Sequence, residues 1–242
     1  PMYTVEEVVQ LVINDLKEAE ILLASDPIVS TVPYTLGTKS DADKYVARMN
    51  LYGVKAMLAR AYQAKGDNVR AVAYAKEVIE SGKFRLLEFA SVDQTEALTD
   101  VLFSDEHIFS LRNKELKDYS EKLHRDEKKD GATSFKPLPF GSYYNWYEGN
   151  NDDVRYSKWF NLGDFMKYYM DNTDAFFRKM PMIKLSEMYL IVAECSFDTD
   201  SEMSLEYLNV LRDHRIRNHV HLQYLSKESI QDEMRREYLG EG

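Results

Sequence analysis

The residues with the most distinctive chemistry lie at 140–153, where aromatic rings occur beside glycines, side-chain amides and carboxylates. A sugar ring presents an apolar C–H face and a rim of hydroxyl groups, and rigid aromatic faces flanked by hydrogen-bonding side chains suit both. Because the stretch shows no helical periodicity, we expect a loop. Its central residues are the predicted carbohydrate-binding side chains: Tyr143, Tyr144, Asn145, Trp146 and Tyr147. The alternative, that these rings only anchor the loop to neighbouring helices, stays open.

Two glutamates have a spacing that could support acid–base chemistry. Glu187 and Glu194 lie two turns apart on one face of a predicted helix. No loop places them in a cleft, so structural ion pairs across a helix interface are the favoured interpretation. Their candidate partners are Arg212, Arg235 and Arg236. Arg155, which follows Asp153, is likewise expected to fix the chain where it leaves the aromatic segment.

The single cysteine and the histidines do not complete a catalytic or metal site. Cys195 falls within an apolar helical pattern, which favours a core residue over an activated nucleophile. His219 and His221 would face one side of an extended segment and give half a metal site, but no cysteine lies nearby and that segment has no third histidine. There is no glycine-rich phosphate loop and no nucleophile elbow. We therefore expect no catalytic residue, no metal and no cofactor.

Composition excludes several classes of protein. The formal net charge of −10 argues against a nucleic-acid partner, because phosphate binding needs clustered lysine and arginine. The densest basic run, at 122–129, is interrupted by acidic residues. One cysteine permits no internal disulfide, and no apolar run reaches the length of a membrane-spanning helix. The first residues show no signal-peptide pattern, so an export signal would lie outside this chain.

The elements that must position these residues are helical. Residues 50–87 predict two helices folded against each other, with Gly66 ending the first and Asp67 capping the second. The leucine, alanine and aromatic spacing of this hairpin is close to that of a tetratricopeptide repeat. One hairpin cannot bury both of its faces, so partner helices are required elsewhere in the chain.

Those partners are predicted by helical periodicity on both sides of the aromatic segment. Further helices are expected at 5–23, from Pro181 to Cys195, at 205–211 and from Ser226 to Gly240, with a short extended segment at 106–111. The sequence thus predicts a single domain over 1–242, of mainly α class. Helical hairpins at 4–87 and 181–242 would pack together with a loop-rich, aromatic-rich segment at 88–180.

Several segments together resemble the SusD/RagB family of outer-membrane nutrient-binding lipoproteins. They occur in the family's order: residues 14–19, the central hairpin, 104–109, 153–155, 183–195, 205–212 and 230–242. The resemblance implies a mainly helical fold of tetratricopeptide-like hairpins with a loop-rich remainder. Family members extend beyond both ends of this chain, so the chain looks like a fragment, a processed form or a shortened relative.

The resemblance also implies a function without catalysis. In this family the protein faces outward from the cell outer membrane on a lipidated cysteine, captures a glycan and delivers it to a SusC-type TonB-dependent transporter. Cys195 does not match that lipidated cysteine, so the lipid anchor would lie outside this chain. The alternative function is a tetratricopeptide-type module that binds a protein partner in a concave groove and does not bind glycans.

Overall fold

The computed structural model describes residues 3–33, 41–89, 100–116, 118–119, 142–161, 164–168 and 179–241. Most of these residues are helical, which confirms the predicted mainly α class. The helices are α1 (Val5–Leu22), α2 (Leu51–Lys65), α3 (Asn68–Glu80), α4 (Ser142–Trp146), α5 (Val154–Trp159), α6 (Leu185–Ser196), α7 (Ser201–Asp213) and α8 (Lys227–Glu237). Short 3-10 helices cover Pro27–Ser30, Asp41–Lys44 and Ser104–Glu106. The basic run at 122–129 lies outside the described residues.

The predicted central hairpin is confirmed as α2 and α3. Gly66 has φ +78°, the left-handed conformation that ends a helix, and its N–H donates back to the last turn of α2. The Asp67 side chain accepts a hydrogen bond from Arg70 N and caps α3. Ala59, Ala71 and Ala75 are fully buried. Their small side chains let the helix backbones approach closely, as the repeat-like spacing predicts.

The other long helices stack on this hairpin. α1 packs against α2, α6 packs against α3, and α7 packs against α6, while α8 lies across α6. Ser204 Oγ of α7 donates a 2.6 Å hydrogen bond to the Ala193 carbonyl of α6. A capping box of Thr4 and Glu7 forms at the start of α1. Among the described residues, no helix is both long and apolar enough to cross a membrane.

In the described part of the chain, two antiparallel pairs of strands accompany the helices. β1 (His107–Arg112) is followed in the chain by β2 (Phe160–Asn161), β3 (Asp164–Phe165) and β4 (Lys179–Lys184). β1 pairs with β4, with Ser110 opposite Pro181, and β2 pairs with β3. The predicted start of a helix at Pro181 is wrong, because β1 recruits residues 179–184 as its partner strand. The helix begins only at Leu185.

Most of the buried apolar side chains that the structure describes fall into two clusters. The larger one lies among α1, α2, α3, α6, α7 and α8. The second cluster, here the Trp159 cluster, consists of Leu87, Val101, Leu102, Phe103, Leu116, Val154, Trp159, Phe165 and Tyr168. It packs beneath the segment that carries the predicted binding residues. Whether residues 1–242 form a single domain stays a prediction.

Candidate binding site

The aromatic segment begins with a helix rather than the predicted loop. α4 spans only Ser142–Trp146, and Tyr147 N donates a 3.1 Å hydrogen bond to Tyr143 O. A turn follows, in which Glu148 and Gly149 both have positive φ. A helix of little more than one turn is too short to show a period in the sequence. Residues 140 and 141 lie outside the described part of the chain.

Two of the predicted binding residues are buried beneath α4. Tyr143 is 3% exposed and Tyr147 is 1% exposed, because residues four apart share one face of a helix. The Tyr143 ring lies 4.2 Å from the Phe160 ring, centroid to centroid. The Tyr147 hydroxyl donates to the Arg236 carbonyl oxygen at 3.2 Å, and burial raises the pKa of this phenol. In this conformation both rings pack the helix onto the protein.

The remaining predicted residues face solvent. Tyr144 is 39% exposed, Trp146 is 37% exposed, and Asn145 lies exposed between them. Asn145 and Trp146 line a shallow pocket of about 100 Å³, here called the Trp146 pocket. Its other walls come from α8: Asp232, Arg235 and Arg236. The pocket thus combines one indole ring with an amide, a carboxylate and two guanidinium groups.

The two arginines of the Trp146 pocket have different roles. Arg236 donates from Nε to the Trp146 carbonyl oxygen at 2.6 Å and forms ion pairs with Glu148 and Glu233 at 2.9 and 3.0 Å. These contacts hold the end of α4 against α8. Arg235 is exposed and pairs only with Asp232, at 2.5 Å, among the contacts described. The Asp232–Arg235 pair therefore presents an acceptor and several donors at the pocket surface.

Sequence reasoning missed the α8 walls of the Trp146 pocket. Asp232, Arg235 and Arg236 lie about ninety residues beyond α4 in the chain. Their local sequence pattern does not indicate a binding site, because it is the pattern of the polar face of an amphipathic helix. Only the packing of α8 beside α4 brings them to Trp146.

A network of ion pairs fixes α4 and α8 relative to the rest of the protein. It contains as many acidic as basic side chains, and most of them are buried. The ion-pair network comprises Glu106, Glu148, Asp153, Arg155, Lys167, Lys184, Arg212, Arg215, Glu233, Arg236, Glu237 and Glu241. Arg155 is fully buried and pairs with Asp153, Glu233 and Glu237 at 2.7, 2.6 and 3.1 Å. Its predicted role, fixing the chain after the aromatic segment, is confirmed.

The glutamates of α6 do not use the partners predicted for them. Glu187 pairs with Arg60 of α2, whose Nη2 also donates to the Met182 carbonyl oxygen at 2.8 Å. Glu194 accepts a hydrogen bond from Gln63, one turn further along α2. The predicted pairing with Arg212, Arg235 or Arg236 is wrong because α2 presents its polar groups to this face of α6. The structural role predicted for Glu187 is confirmed.

Cys195 is buried in α6, and burial raises the pKa of its thiol to about 11. This agrees with the predicted core residue, since a reactive cysteine needs a stabilised thiolate. Cys195 also lies at the edge of a polar cavity of about 230 Å³ between α2, α6 and α8. The cavity is lined by Gln63, Asn68, Glu194, Cys195, Phe197, Asp198, Lys227, Ile230 and Gln231. Its aromatic ring, Phe197, is half-buried, and Lys227 Nζ lies 5.6 Å from the ring centroid.

Among the described residues, one group of side chains converges closely enough to hold a metal ion: Asp213, His219 and His221. None of the three lines the Trp146 pocket.

Buried titratable groups predict that acid destabilises the protein. Burial lowers the pKa of His107 from 6.5 to about 4, and three arginines lower the pKa of buried Glu233 from 4.5 to about 2 against the opposing effect of burial. The unfolded chain therefore takes up protons first as the pH falls. The His107 contribution is lost between the two values of its pKa, by on the order of 3 kcal/mol at pH 4. Denaturant midpoints across this range measure the loss.

A glutamine at position 107 separates the histidine from the other groups. His107 Nε2 lies 3.0 Å from the Leu102 carbonyl oxygen, and a glutamine amide can donate there without titrating. His107→Gln should flatten the stability profile above about pH 4.5. The raised pKa values of Asp100 and Glu187 act in the opposite sense and are the same in both proteins. A wild-type midpoint that does not change between neutral pH and pH 5 contradicts the assignment.

The fold is similar to that of several solved SusD-like proteins. Surface glycan-binding protein A from Bacteroides uniformis is 20% identical with a TM-score of 0.66, covering 100% of this chain and 56% of that one. A SusD-like carbohydrate binding protein from Bacteroides vulgatus is 21% identical with a TM-score of 0.65, covering 100% and 51%. A SusD superfamily protein from Bacteroides thetaiotaomicron is 22% identical with a TM-score of 0.59, covering 80% and 48%.

The family resemblance predicted from the sequence is thus confirmed at the level of the fold. The chain spans about half the length of these solved structures. No protein-family model matches the sequence, and no curated protein matches it significantly. At these identities the likeness establishes the fold alone, so function has to be argued from the site.

Proposed function

We propose that this protein binds a glycan at the cell surface without catalysis, and that the Trp146 pocket is its binding site. The observation that carries the proposal is the exposed indole of Trp146 beside Asn145 and the Asp232–Arg235 pair. An apolar ring face with planar hydrogen-bonding groups at its rim matches the two surfaces of a sugar ring. Two of the structural neighbours bear names that describe glycan or carbohydrate binding.

Each exposed group has a separate task in this proposal. The Trp146 indole stacks on the C–H face of one sugar residue. The Asp232 carboxylate accepts hydrogen bonds from hydroxyl groups, and the Arg235 guanidinium and the Asn145 amide donate to them. Tyr144 lies outside the pocket, where its exposed ring contacts Tyr156.

The buried tyrosines and Arg236 serve the site indirectly. Tyr143 and Tyr147 hold α4 on the Trp159 cluster and on α8, and Arg236 holds the Trp146 carbonyl group. These contacts fix the backbone of α4, which carries Trp146, before a ligand arrives, so less conformational entropy is lost on binding. The exposed residues of α4 are thereby held in a fixed position relative to α8.

The cellular setting of the proposal rests on the family resemblance. In this proposal the protein faces outward from the cell outer membrane. The bound glycan would pass to a SusC-type TonB-dependent transporter. Surface glycan-binding protein A is named for a surface location, which supports this setting.

Replacing Trp146 with alanine should weaken glycan binding by about 2 kcal/mol or more, which is about thirtyfold in Kd, because a central aromatic anchor is lost. Soluble plant, host and microbial polysaccharides are titrated while tryptophan fluorescence is recorded. The chain has two tryptophans, and Trp159 is buried. A Trp159→Phe background therefore assigns the signal to Trp146, and calorimetry measures the Trp146→Ala variant.

Tyr224→Ala is the matched control, because Tyr224 is an exposed aromatic residue outside the pocket. It should bind the same glycan with unchanged affinity. A folded wild-type protein that binds no glycan of the panel contradicts the proposal. So does a Trp146→Ala variant with wild-type affinity.

A second candidate function, binding of a protein partner, is favoured by one observation. Ile13 is the one buried residue of α1, and several of the helix's apolar side chains are exposed. The exposed apolar side chains of α1 are Val5, Val8, Leu11, Val12, Ile21 and Leu22. An exposed apolar patch is typical of an interaction surface, and these six side chains on one helix are the candidate. If no glycan binds in the titrations above, this surface becomes the leading candidate.

A further inference from the structure

Asp213, His219 and His221 meet at the carboxyl end of α7. α7 ends at Asp213, and the chain then turns back so that both imidazole rings face that carboxylate. His219 Nδ1 lies 2.8 Å from one Asp213 oxygen, and His221 Nε2 lies 2.8 Å from the other. One potential ligand atom from each residue falls within 4.8 Å of the others. The sequence shows only the two histidines as half a site, and the fold adds the third ligand.

We propose that Asp213, His219 and His221 bind a divalent transition-metal ion, with zinc the best match. Two imidazole nitrogens and one carboxylate oxygen are a ligand set that zinc accepts, and a water molecule would fill the fourth tetrahedral position. Calcium and magnesium prefer sites made entirely of oxygen atoms. The mixed nitrogen and oxygen set therefore selects for zinc, nickel, copper or cobalt.

The loop that carries the histidines is already held in place. The Asn209 side chain of α7 donates to the Leu222 carbonyl oxygen at 3.0 Å and accepts from Leu222 N at 2.8 Å. This two-bond clamp is one residue beyond His221. Arg217 N also donates to the Asp152 carbonyl oxygen at 3.1 Å. The backbone on both sides of the histidines is thus fixed, which limits the entropy lost when an ion binds.

Small side-chain rotations complete the coordination. In a tetrahedral site with bonds of about 2.0–2.1 Å, ligand atoms lie about 3.3 Å apart, so the two carboxylate–imidazole contacts must lengthen slightly. Asp213 and His221 are exposed and can rotate freely to do this. His219 is the enclosed member, with a side chain only 4% exposed. It fixes the position of the ion, and the other two ligands close around it.

Metal binding at His219 requires a hydrogen bond from Arg212 to open. Its Nε donates to His219 Nε2 at 3.1 Å, which leaves the proton of a neutral imidazole on Nδ1, facing Asp213. A metal ion at Nδ1 replaces that proton, and the ring then carries its hydrogen on Nε2. The Arg212–His219 contact must open, while Arg212 keeps its ion pairs with Glu148 and Glu233.

The test is metal titration of protein without a polyhistidine tag. Calorimetry with Zn²⁺ should show one ion per chain, and Co²⁺ should give the visible absorption bands of a tetrahedral site. His221→Ala removes a direct ligand and Asp213→Asn removes the negative charge of another, so each should weaken the affinity by more than about tenfold. Both residues are exposed, so neither change should unfold the protein. Zn²⁺ should raise the Tm of the wild type more than that of either variant.

Asp198→Asn is the matched control, because Asp198 is an exposed carboxylate preceding the other end of α7. It should bind Zn²⁺ as tightly as the wild type. Three results would overturn the proposal: no binding of Zn²⁺ or Co²⁺ by the wild type, binding that both ligand variants retain at full affinity, or equal weakening in Asp198→Asn. Ca²⁺ in place of Zn²⁺ should produce no heat of binding.

Discussion

Replacing Glu237 with alanine is expected to lower the free energy of unfolding by about 3–5 kcal/mol, as removal of one partner from a buried ion pair does. Glu237 is fully buried and accepts from Arg155, Lys184 and Arg215 at 3.1, 2.8 and 2.9 Å. These cations lower its pKa well below the usual value despite its burial. Without the carboxylate, the ion-pair network carries an uncompensated positive charge away from water. Denaturant unfolding measures the loss.

The contribution of the shape of the Glu237 side chain can be tested separately from the contribution of its charge. Glu237→Gln keeps the shape of the side chain and removes its charge, so it should destabilise the protein nearly as much as alanine. Adding Lys184→Met to Glu237→Gln removes one cation as well and should recover part of the loss. Glu228→Ala, an exposed change in the first turn of the same helix, should lose less than about 1 kcal/mol. A loss below about 1 kcal/mol for Glu237→Ala would contradict the argument.

The helical scaffold could be predicted because its signals are local. Gly66 and Asp67 mark the turn of the central hairpin, and the buried alanines on either side give the close-packed face. Ser226 caps α8 in the same local way. Each signal depends on residues within about one helical turn, so no knowledge of tertiary structure was needed.

The elements that were predicted wrongly depend on distant partners. Residues 179–184 contain methionines and lysines that favour a helix, yet they form β4 because β1, some seventy residues earlier, offers a strand edge. Glu187 could not be paired correctly either, because its partner Arg60 lies in another hairpin. The choice of partner for a charged residue is made by packing, and the sequence pattern does not record it.

The candidate site falls between these two cases. Its residue types could be identified, since aromatic rings beside amides are rare in a helical scaffold. Their exposure could not, because it depends on α4: residues four apart turn inward, while Tyr144 and Trp146 face solvent. Asp213 could not be identified as a possible ligand from the sequence either, because its spacing from the two histidines matches no metal-binding motif. It comes close to them only when the chain turns back after α7.

Trp159→Ala is expected to lower the free energy of unfolding by about 3–5 kcal/mol, the range for truncation of a large buried aromatic residue. Trp159 is fully buried, its Nε1 donates to the Val101 carbonyl oxygen at 2.9 Å, and its ring stacks on Phe103 at 5.5 Å between centroids. Lys167 Nζ lies 3.8 Å above the ring, a cation–π contact. Alanine removes all three interactions and leaves a cavity. Chemical denaturation followed by circular dichroism measures the loss.

Unlike the loss of an ordinary core residue, the loss of Trp159 should also weaken glycan binding at the proposed site. Trp159 precedes Phe160, whose ring packs on Tyr143 beneath α4. Loosening this contact should let α4 move, so Trp159→Ala should weaken glycan binding although Trp159 does not line the Trp146 pocket. Trp159→Phe keeps most of the packing and should retain binding, with a smaller loss of stability from the missing Nε1 hydrogen bond. Trp146→Ala should show the opposite pattern, with binding lost and stability nearly unchanged. If Trp159→Ala were as stable as the wild type, the Trp159 cluster could not be what holds the binding surface in place.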